Sequence, residues 1–370
     1  MIIKKFRARN FRNIGECEIE FSSGVNILLG DNAEGKTNVL EGIYLFSRGK
    51  SHRAREEREL VKFGEDGFFV SIDYESEGRE SSLEYSLYGR ERRRKKNGYK
   101  LKGARELMGS FKSVLFYPDD LQLVKAGPEE RRAFLNVAIS QIYPSYVNFY
   151  SNYKYALENR NNLLKKAKDG LFGDREEIVS WSLSMAKYAT DIYIFRRDYI
   201  KKLELYAKGF MKDISEGGEE LSFGYKSNIP FEIEKKEKIE EYYALKLTEN
   251  LEREISAGTT LYGVHRDDLE IFINGKESRL FASQGQQRST VLSIKLAEGE
   301  VSREISGEYP VFLFDDVLSE LDEKRRKYLV EGIGKRQIII TSCERELVDG
   351  IGGKIISVKN GEYAYVSSHR

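Results

Sequence analysis

A chain of 370 residues has room for two domains, or for one head carrying an insertion, and its formal net charge of +1 sets up no global field for a polyanion. Any nucleic-acid surface must therefore be local. Charged residues make up 33% of the sequence and proline only five positions, a composition that fits a soluble protein and, more weakly, one from a hot environment.

Cys17 and Cys343 stand far apart, so they supply neither a disulfide framework nor a zinc spacing, and His52, His265 and His369 are too scattered for a metal cluster. No apolar stretch approaches the ~18 residues of a membrane span. Met1 to Phe6 lacks the apolar region of a signal peptide, so the expectation is a cytoplasmic protein with no membrane partner.

Taken in order, Ile2–Ala8 and Cys17–Phe21 read as strands around a turn at Arg12–Gly15. With the apolar run Val25–Leu29 they predict a small sheet edge leading into Gly30-Asp31-Asn32-Ala33-Glu34-Gly35-Lys36-Thr37. That octet matches G-x-x-x-x-G-K-[ST] at every fixed position. Thr37–Phe46 behind it puts Val39, Leu40, Ile43 and Phe46 on one helical face. Strand, glycine loop and helix form the context in which the pattern grips phosphate, because the glycines let backbone N–H groups point inward and the helix end adds partial positive charge. Lys36 is placed to reach β- and γ-phosphates, and the Thr37 hydroxyl to meet Mg²⁺. Arg48–Arg53 follows as a basic loop, either beside phosphates or a solvated connector.

Phe68–Tyr74 and Ser81–Tyr88 alternate apolar and polar residues as strands do. Arg90–Lys102 contains Asn97-Gly98, a strong hairpin signal, and predicts a basic β-hairpin. Its Arg92, Arg93, Arg94, Lys95 and Lys96 suit contacts with DNA phosphates, and equally suit an edge strand kept soluble by charge; both readings stand. Ser113–Tyr117 is a further strand.

From Pro128 the pattern turns helical. Pro128 fits a first helical position, with Glu129 and Glu130 complementing the dipole. A second helix is predicted from Pro144 to about Ala167, and a third from near Asp174 to about Ser215. In the third, Ile178, Trp181, Met185, Tyr188, Ile192, Phe195, Tyr199, Leu203, Tyr206 and Phe210 step by three and four, the seam of a helix packed along another helix. That aromatic stripe is core and not a base-stacking platform, while Arg196, Arg197, Lys201 and Lys202 fall off the seam, where they either meet DNA or, the favoured reading, line a solvated face. Leu221–Tyr225 is a short strand, Ile233–Ile255 a charged helix, and Thr259–Val264 and Leu269–Ile273 strands again, with a turn at Asn274-Gly275.

Phe281-Ala282-Ser283-Gln284-Gly285-Gln286-Gln287-Arg288-Ser289 then leads into a helix with Val291, Leu292, Ile294 and Leu296 as apolar positions. This is either a second phosphate-binding helix end or a plain N-cap. Pro310–Phe314 is an apolar run that delivers Asp315 and Asp316, as a Walker B strand does: Asp315 to the Mg²⁺ side of the P-loop, Asp316 to orient or deprotonate a water. Gln337–Thr341 supplies one more strand.

In this order the elements resemble an ABC-type ATPase head, and more closely the RecF family of bacterial recombination mediators. The residues that carry the resemblance are Asn10-Phe11-Arg12-Asn13, Gly30–Thr37 with Asn38-Val39-Leu40-Glu41, Gly49-Lys50-Ser51, Gly127-Pro128 with Arg131-Arg132, Gly263 with His265-Arg266-Asp267-Asp268, Ser283–Arg288, and Asp315-Asp316 with Ser319–Asp322. They span nearly the whole chain. The resemblance implies an α/β fold: an ABC-type P-loop ATPase head (residues 1–112 and 259–370) with an inserted, mainly helical domain (residues 113–258) containing a short antiparallel helical arm. It also implies an ATP-dependent homodimer that binds double-stranded DNA near single-strand gaps and, with RecO and RecR, promotes RecA loading. ATP and Mg²⁺ are the implied cofactors, and the implied activity is a weak DNA-dependent ATPase.

Carried over residue by residue, Gly30, Asp31, Asn32, Ala33, Glu34, Gly35, Lys36 and Thr37 hold ATP, Thr37 and Asp315 hold Mg²⁺, and Asp316 is the catalytic carboxylate beside Lys36. Ser283, Gly285 and Gln286 act in trans, Asp322 bridges the dimer, and Gln122 is the candidate for a metal-sensing glutamine. Two departures point to ATP as a slow clamp timer. Asp316 stands where ABC heads carry a glutamate, and no histidine follows the Gln337–Thr341 strand. The alternatives are an SMC-type or break-repair head, whose coiled coils run far longer than this insertion, a transporter ATPase subunit, and a nucleotide-gated scaffold whose hydrolysis is incidental. The basic hairpin and the long helical insertion weigh against the transporter.

Overall fold

The structure, a computed structural model, describes residues 1–170, 175–230, 233–332, 334, 336–348, 351–359 and 361–366. Asp174 and His369 lie outside the described residues. The chain forms two compact units: Met1–Gln122, Tyr206–Glu219 and Ser283–Arg370 make the first, Leu123–Leu205 and Glu220–Ala282 the second.

The first unit begins with β1 (Ile2–Phe11), β2 (Ile14–Glu20), β3 (Val25–Leu29) and α1 (Lys36–Arg48). It continues with β4 (Gly67–Ser76), β5 (Arg79–Tyr88), β6 (Glu91–Lys96), β7 (Tyr99–Lys100) and β8 (Ser113–Phe116). The order β2-β1-β4-β5-β6-β7 is an antiparallel sheet whose strands bury alternate residues, Phe6, Ala8 and Phe11 on β1 and Phe68, Val70 and Ile72 on β4. Its other face is a charge ladder, in which Arg7 pairs with Glu18 on one neighbour and Asp73 on the other, both at 2.9 Å.

The second unit holds α2 (Gln122–Lys125, its first residue in the first unit), α3 (Pro128–Ile142) and α4 (Pro144–Lys168). Next come α5 (Arg175–Ile214, which passes into the first unit at Tyr206), β9 (Leu221–Lys226), α6 (Lys236–Glu249) and α7 (Leu251–Ala257). β10 (Asp268–Ile273), β11 (Lys276–Glu277) and α8 (Ser278–Phe281) complete it. The α4 and α5 helices form the antiparallel arm: Tyr146 meets Phe195 at 5.8 Å between ring centroids and Tyr155 meets Trp181 at 5.7 Å, with the sequence order reversed.

Ile178, Met185, Ile192, Tyr199 and Leu203 of the expected seam are buried, but so are Ala186, Ala189, Tyr193 and Arg196. The buried stripe is thus wider than a coiled-coil seam, and the solvated position expected for Arg196 is corrected. Its guanidinium donates to the Val264 carbonyl at 2.7 Å and to Asn136 Oδ1 at 2.9 Å, and faces Asp267 at 3.6 Å.

Thr259–Val264, expected as a strand, is a pinned loop. Gly263 has φ +137°, and a Cβ there would come within 2.4 Å of the Tyr153 hydroxyl. That hydroxyl donates to His265 Nδ1 at 2.6 Å while Nε2 donates to the Thr260 carbonyl at 3.2 Å, an assignment that makes the imidazole neutral; burial pushes its pKa down to about 4. Consecutive carboxylates then fasten to different helices, Asp267 to α5 and Asp268 to Arg131 of α3 through two bonds of 2.7 and 2.8 Å. Deeper still, Arg160 and Glu254 pair at 2.6 Å with both side chains fully buried. The Ile233–Ile255 helix expected from sequence is two helices, broken at Asn250, which caps both.

The chain returns to the first unit with α9 (Gln284–Ser306), β12 (Val311–Asp315), α10 (Val317–Glu320), α11 (Glu323–Gly332), β13 (Ile338–Ser342), β14 (Lys354–Lys359) and β15 (Glu362–Val366). These complete a second sheet, β15-β14-β3-β13-β12-β8, parallel from β14 to β8. β3 is therefore central in this sheet and not an extension of the β1–β2 hairpin. Its Asn26, Ile27 and Leu28 are all buried, as a strand covered on both faces requires. Helix α1 touches β1 and β4 on one side and β8, β12 and β13 on the other, joining the two sheets through one core.

Both expected domain boundaries move for reasons of strand pairing. Ser113–Phe116 pairs in parallel with β12, so it belongs to the head; Asp268–Ile273 pairs with β9, so residues 259–282 stay with the insertion. No described helix is long and apolar enough to cross a membrane.

Candidate nucleotide-binding site

β3 ends at Leu29 and α1 starts at Lys36, so the six residues between form the loop that the motif predicts. Gly35 caps the helix at φ +111°, where a Cβ would come within 3.0 Å of the Asn13 side chain and 2.9 Å of the Tyr363 hydroxyl. The loop is braced from outside: Asn13 donates to the Ala33 carbonyl at 2.7 Å and accepts from Asn38 at 2.7 Å. Lys36 curls over the loop, donating to the carbonyls of Gly30 and Asp31 at 2.6 and 2.7 Å.

β12 carries Asp315 to the same place. Thr37 Oγ1 donates to Asp315 Oδ1 at 2.8 Å, and Thr341, at the end of the adjacent β13, donates to the same oxygen at 2.8 Å. Burial pushes the Asp315 carboxyl up and these two hydroxyls hold part of the rise back. Asp316 follows with φ +53°, its backbone N–H donating to Thr341 Oγ1 at 2.9 Å. Its carboxyl is raised by burial, and the Lys36 ammonium acts against that rise, so the two side chains share one electrostatic space. A threonine hydroxyl beside a carboxylate oxygen is a hard donor pair of the sort Mg²⁺ takes, with phosphate and water completing the shell. Among the described residues no group of three or more His, Cys, Asp or Glu forms an all-protein metal cage. The donor set therefore fits Mg²⁺ on a nucleotide.

Behind the loop lies a cluster that motif reading named without a role. Glu41 on α1 is completely buried and accepts from Arg12 at 2.9 and 2.7 Å and from Ser51, with Arg53 at 3.6 Å. Burial raises its carboxyl, but the Arg12 and Ser51 hydrogen bonds and the two guanidinium charges win, and its pKa falls below the usual carboxylate value. This cluster ties the β1–β2 turn and the Gly49–Ser51 segment to the P-loop helix. Thr341, which bridges Asp315 and Asp316, gave no signal in sequence beyond ending a strand.

Ser283, Gly285, Gln286 and Asp322 form a second network. Ser283 is the N-cap of α9, its Oγ accepting from the Gln286 N–H at 3.3 Å while Gln286 Oε1 accepts from the Ser283 N–H at 2.9 Å. Arg325 of α11 draws the rest together. It donates to Ser289 Oγ at 2.9 Å and to the Gly285 carbonyl at 3.3 Å, and pairs with Asp322. Asp322 also accepts the Arg325 N–H at 2.9 Å, which lowers its carboxyl pKa with help from the guanidinium charge. The expected glutamine, Gln122, is exposed at the start of α2.

The basic hairpin forms at Asn97-Gly98, with φ +50° and +79°. Strand alternation divides its five cations. Arg92 and Arg94 both reach Glu57, Arg94 also stacking over the Tyr85 ring at 4.2 Å, and Lys96 donates to Ser110 at 3.1 Å. Arg93 and Lys95 point to the opposite face, paired with Glu91 at 2.8 Å and Glu84 at 3.1 Å. They share a pocket of about 620 Å³ with Arg7 and Arg9. The five positions therefore do not make one patch.

A family model described as the RecF/RecN/SMC N terminal domain matches residues 2–364. The "DNA replication and repair protein RecF" of Clostridioides difficile (strain 630) is 38% identical over 368 residues, covering 98% of each chain. A solved structure of the recombination mediator protein RecF with ATP superposes with a TM-score of 0.91 at 35% identity, covering 99% of this chain and 98% of that one. The Smc head domain from Pyrococcus furiosus shares the fold at a TM-score of 0.58 and 18% identity, covering 99% of this chain and 96% of that one.

Proposed function

The chain belongs to the RecF family, and on that premise we propose that it is an ATP-binding DNA replication and repair protein whose two copies close on duplex DNA. The observation that carries the reading is the 2.8 Å contact of Thr37 with Asp315 beside the glycine loop that Lys36 closes over, in a chain that also carries a capped helix start at Ser283. Gly30–Thr37 cradle the triphosphate, and Lys36 exchanges the Gly30 and Asp31 carbonyls for phosphate oxygens. Thr37 and Asp315 hold Mg²⁺, which when bound neutralises phosphate charge. Asp316 positions the attacking water, and Thr341 holds the Asp315 carboxylate on one side and the Asp316 backbone N–H on the other. Ser283, Gly285 and Gln286 of the second copy offer a hydroxyl and helix-end N–H groups to the γ-phosphate, with Asp322 at the same interface.

Hydrolysis is slow and acts as a timer for the closed dimer. The DNA is double-stranded beside a single-strand gap, the partners are RecO and RecR, and the outcome is RecA loading in the cytoplasm. The deciding experiment measures affinity for gapped and intact duplex with ATP, with ADP and with a non-hydrolysable analogue. ATP and the analogue should tighten binding and ADP should not; affinity that ignores the nucleotide overturns the reading.

Asp316→Asn is expected to slow single-turnover ATP hydrolysis by about 10²-fold or more while ATP binding persists. An unchanged rate would leave water positioning to another group. For DNA, the divided hairpin narrows the expectation. Neutralising Arg93 and Lys95 should lower the slope of log affinity against log salt by about one to two, at ~0.9 per phosphate contact. An unaltered slope would make them a solubility device. Arg92 and Arg94 are engaged with Glu57 and should matter more to the sheet than to DNA.

A further inference from the structure

Two groups of exposed apolar side chains lie close to the two halves of the proposed nucleotide site, one through backbone hydrogen bonds and one along the chain. Phe63 is fully exposed on the turn Lys62–Glu65. The turn is held at both ends: Lys62 N–H donates to the Asn10 carbonyl at 2.9 Å, Glu65 N–H to the Lys62 carbonyl at 3.0 Å, and Asn10 Nδ2 to Glu65 at 2.8 Å. Its base is tied to the β1–β2 turn, where the Arg12 N–H donates to the Leu60 carbonyl at 2.7 Å and the next residue, Asn13, grips the P-loop at Ala33. Leu280 and Phe281, at 68% and 67% exposure, close α8 immediately before Ala282 and the N-cap Ser283. Holding rigid aromatic and aliphatic groups in water carries a hydration cost that only a partner removes, and their fixed backbone leaves little ordering entropy to lose on binding.

A twofold dimer joins whatever stands beside one half of its composite site to whatever stands beside the other half, and does so twice. We infer that Phe63 of each copy packs against Leu280 and Phe281 of the second copy, forming an apolar anchor beside each nucleotide. The inference rests on the composite-site reading above. A nucleic-acid base on Phe63 fits less well: exposed Glu65 and Asp66, one residue further on after Gly64, repel a phosphate backbone, and Leu280 and Phe281 would stay uncovered. A second copy accounts for both groups at once.

The test uses the full chain. Phe63→Ser, and Leu280→Ser with Phe281→Ser, should each weaken ATP-driven association in sedimentation equilibrium by about tenfold or more, leaving ATP binding by the monomer unchanged. Phe63 touches no core, so its variant folds. Cross-linking then locates the contact. In a Cys343→Ser background, with Cys17 buried, a chain carrying Phe63→Cys is mixed with one carrying Phe281→Cys. A short bismaleimide should join unlike chains with ATP and not with ADP.

If Ser283→Arg blocks dimerisation while the Phe63 and Leu280–Phe281 variants associate like wild type, the anchor is refuted and the composite site stands. If Ser283→Arg leaves dimerisation intact as well, the underlying reading fails and the anchor with it. Loss of DNA affinity from Phe63→Ser with unchanged dimerisation would assign the side chain to DNA and overturn the inference.

Discussion

Ser283→Arg is expected to abolish ATP-driven dimerisation while ATP binding by the separate chains persists. The side chain is exposed at the first turn of α9, so a long cation is accommodated in the isolated molecule, and the local loss is the hydrogen bond from the Gln286 N–H, worth about 1 kcal/mol as an N-cap. On the composite-site proposal, the same cation would project into the space that the second copy's P-loop takes up. Ser283→Ala separates the two contributions: it removes the cap without blocking approach and should leave a weakened dimer. Sedimentation of both variants with ATP reads the difference, and dimerisation of Ser283→Arg at wild-type strength would mean that α9 is capped for folding alone.

The second large effect lies in the helical unit. Glu254→Gln is expected to cost about 3–5 kcal/mol of that unit's stability, because it leaves the Arg160 guanidinium without a counter-charge at a position of zero exposure. Arg160 would keep Ser182 Oγ at 2.8 Å and Thr260 Oγ1 at 2.9 Å, neither of which is charged. Trp181, the single tryptophan of the sequence, sits on α5 within the same unit, so its fluorescence in urea follows this unit without a tryptophan signal from the head. Replacing both partners, as Arg160→Met with Glu254→Leu, should recover most of the loss, since a matched apolar pair carries no buried charge. A single variant that unfolds at the wild-type midpoint would show water reaching Arg160.

The head was legible in sequence because its elements are local and carry chemistry. The octet Gly30–Thr37 sits between strand and helix, and the run into Asp315-Asp316 is a buried strand that ends on carboxylates. What sequence concealed was pairing at a distance. β3 follows the β1–β2 hairpin in the chain yet lies in the other sheet, between β13 and β14, whose residues come more than three hundred positions later. Ser113–Phe116 reads as the start of the insertion until its parallel partner β12 is known. A single seam leaves Arg196 in solvent, whereas its burial follows from acceptors at Val264, Asn136 and Asp267, which no periodicity within α5 encodes. The hairpin cations failed as one patch for an elementary reason: consecutive strand residues point to opposite faces. The transporter alternative gives way to the RecF relatives that match nearly end to end.

The left-handed backbone at Asp316, φ +53° and ψ 25°, bears on why an aspartate stands there. Short polar side chains tolerate that conformation several-fold more readily than longer ones, since they can bond to their own neighbourhood. This chain does hold glutamates in the same region, Glu77 and Glu216 at φ +52° and +53°. A glutamate here would therefore add a methylene of reach at a modest conformational cost just where the strand hands over to α10. On the proposed reading, the shorter reach that slows hydrolysis and the relaxed turn would come from one atom count.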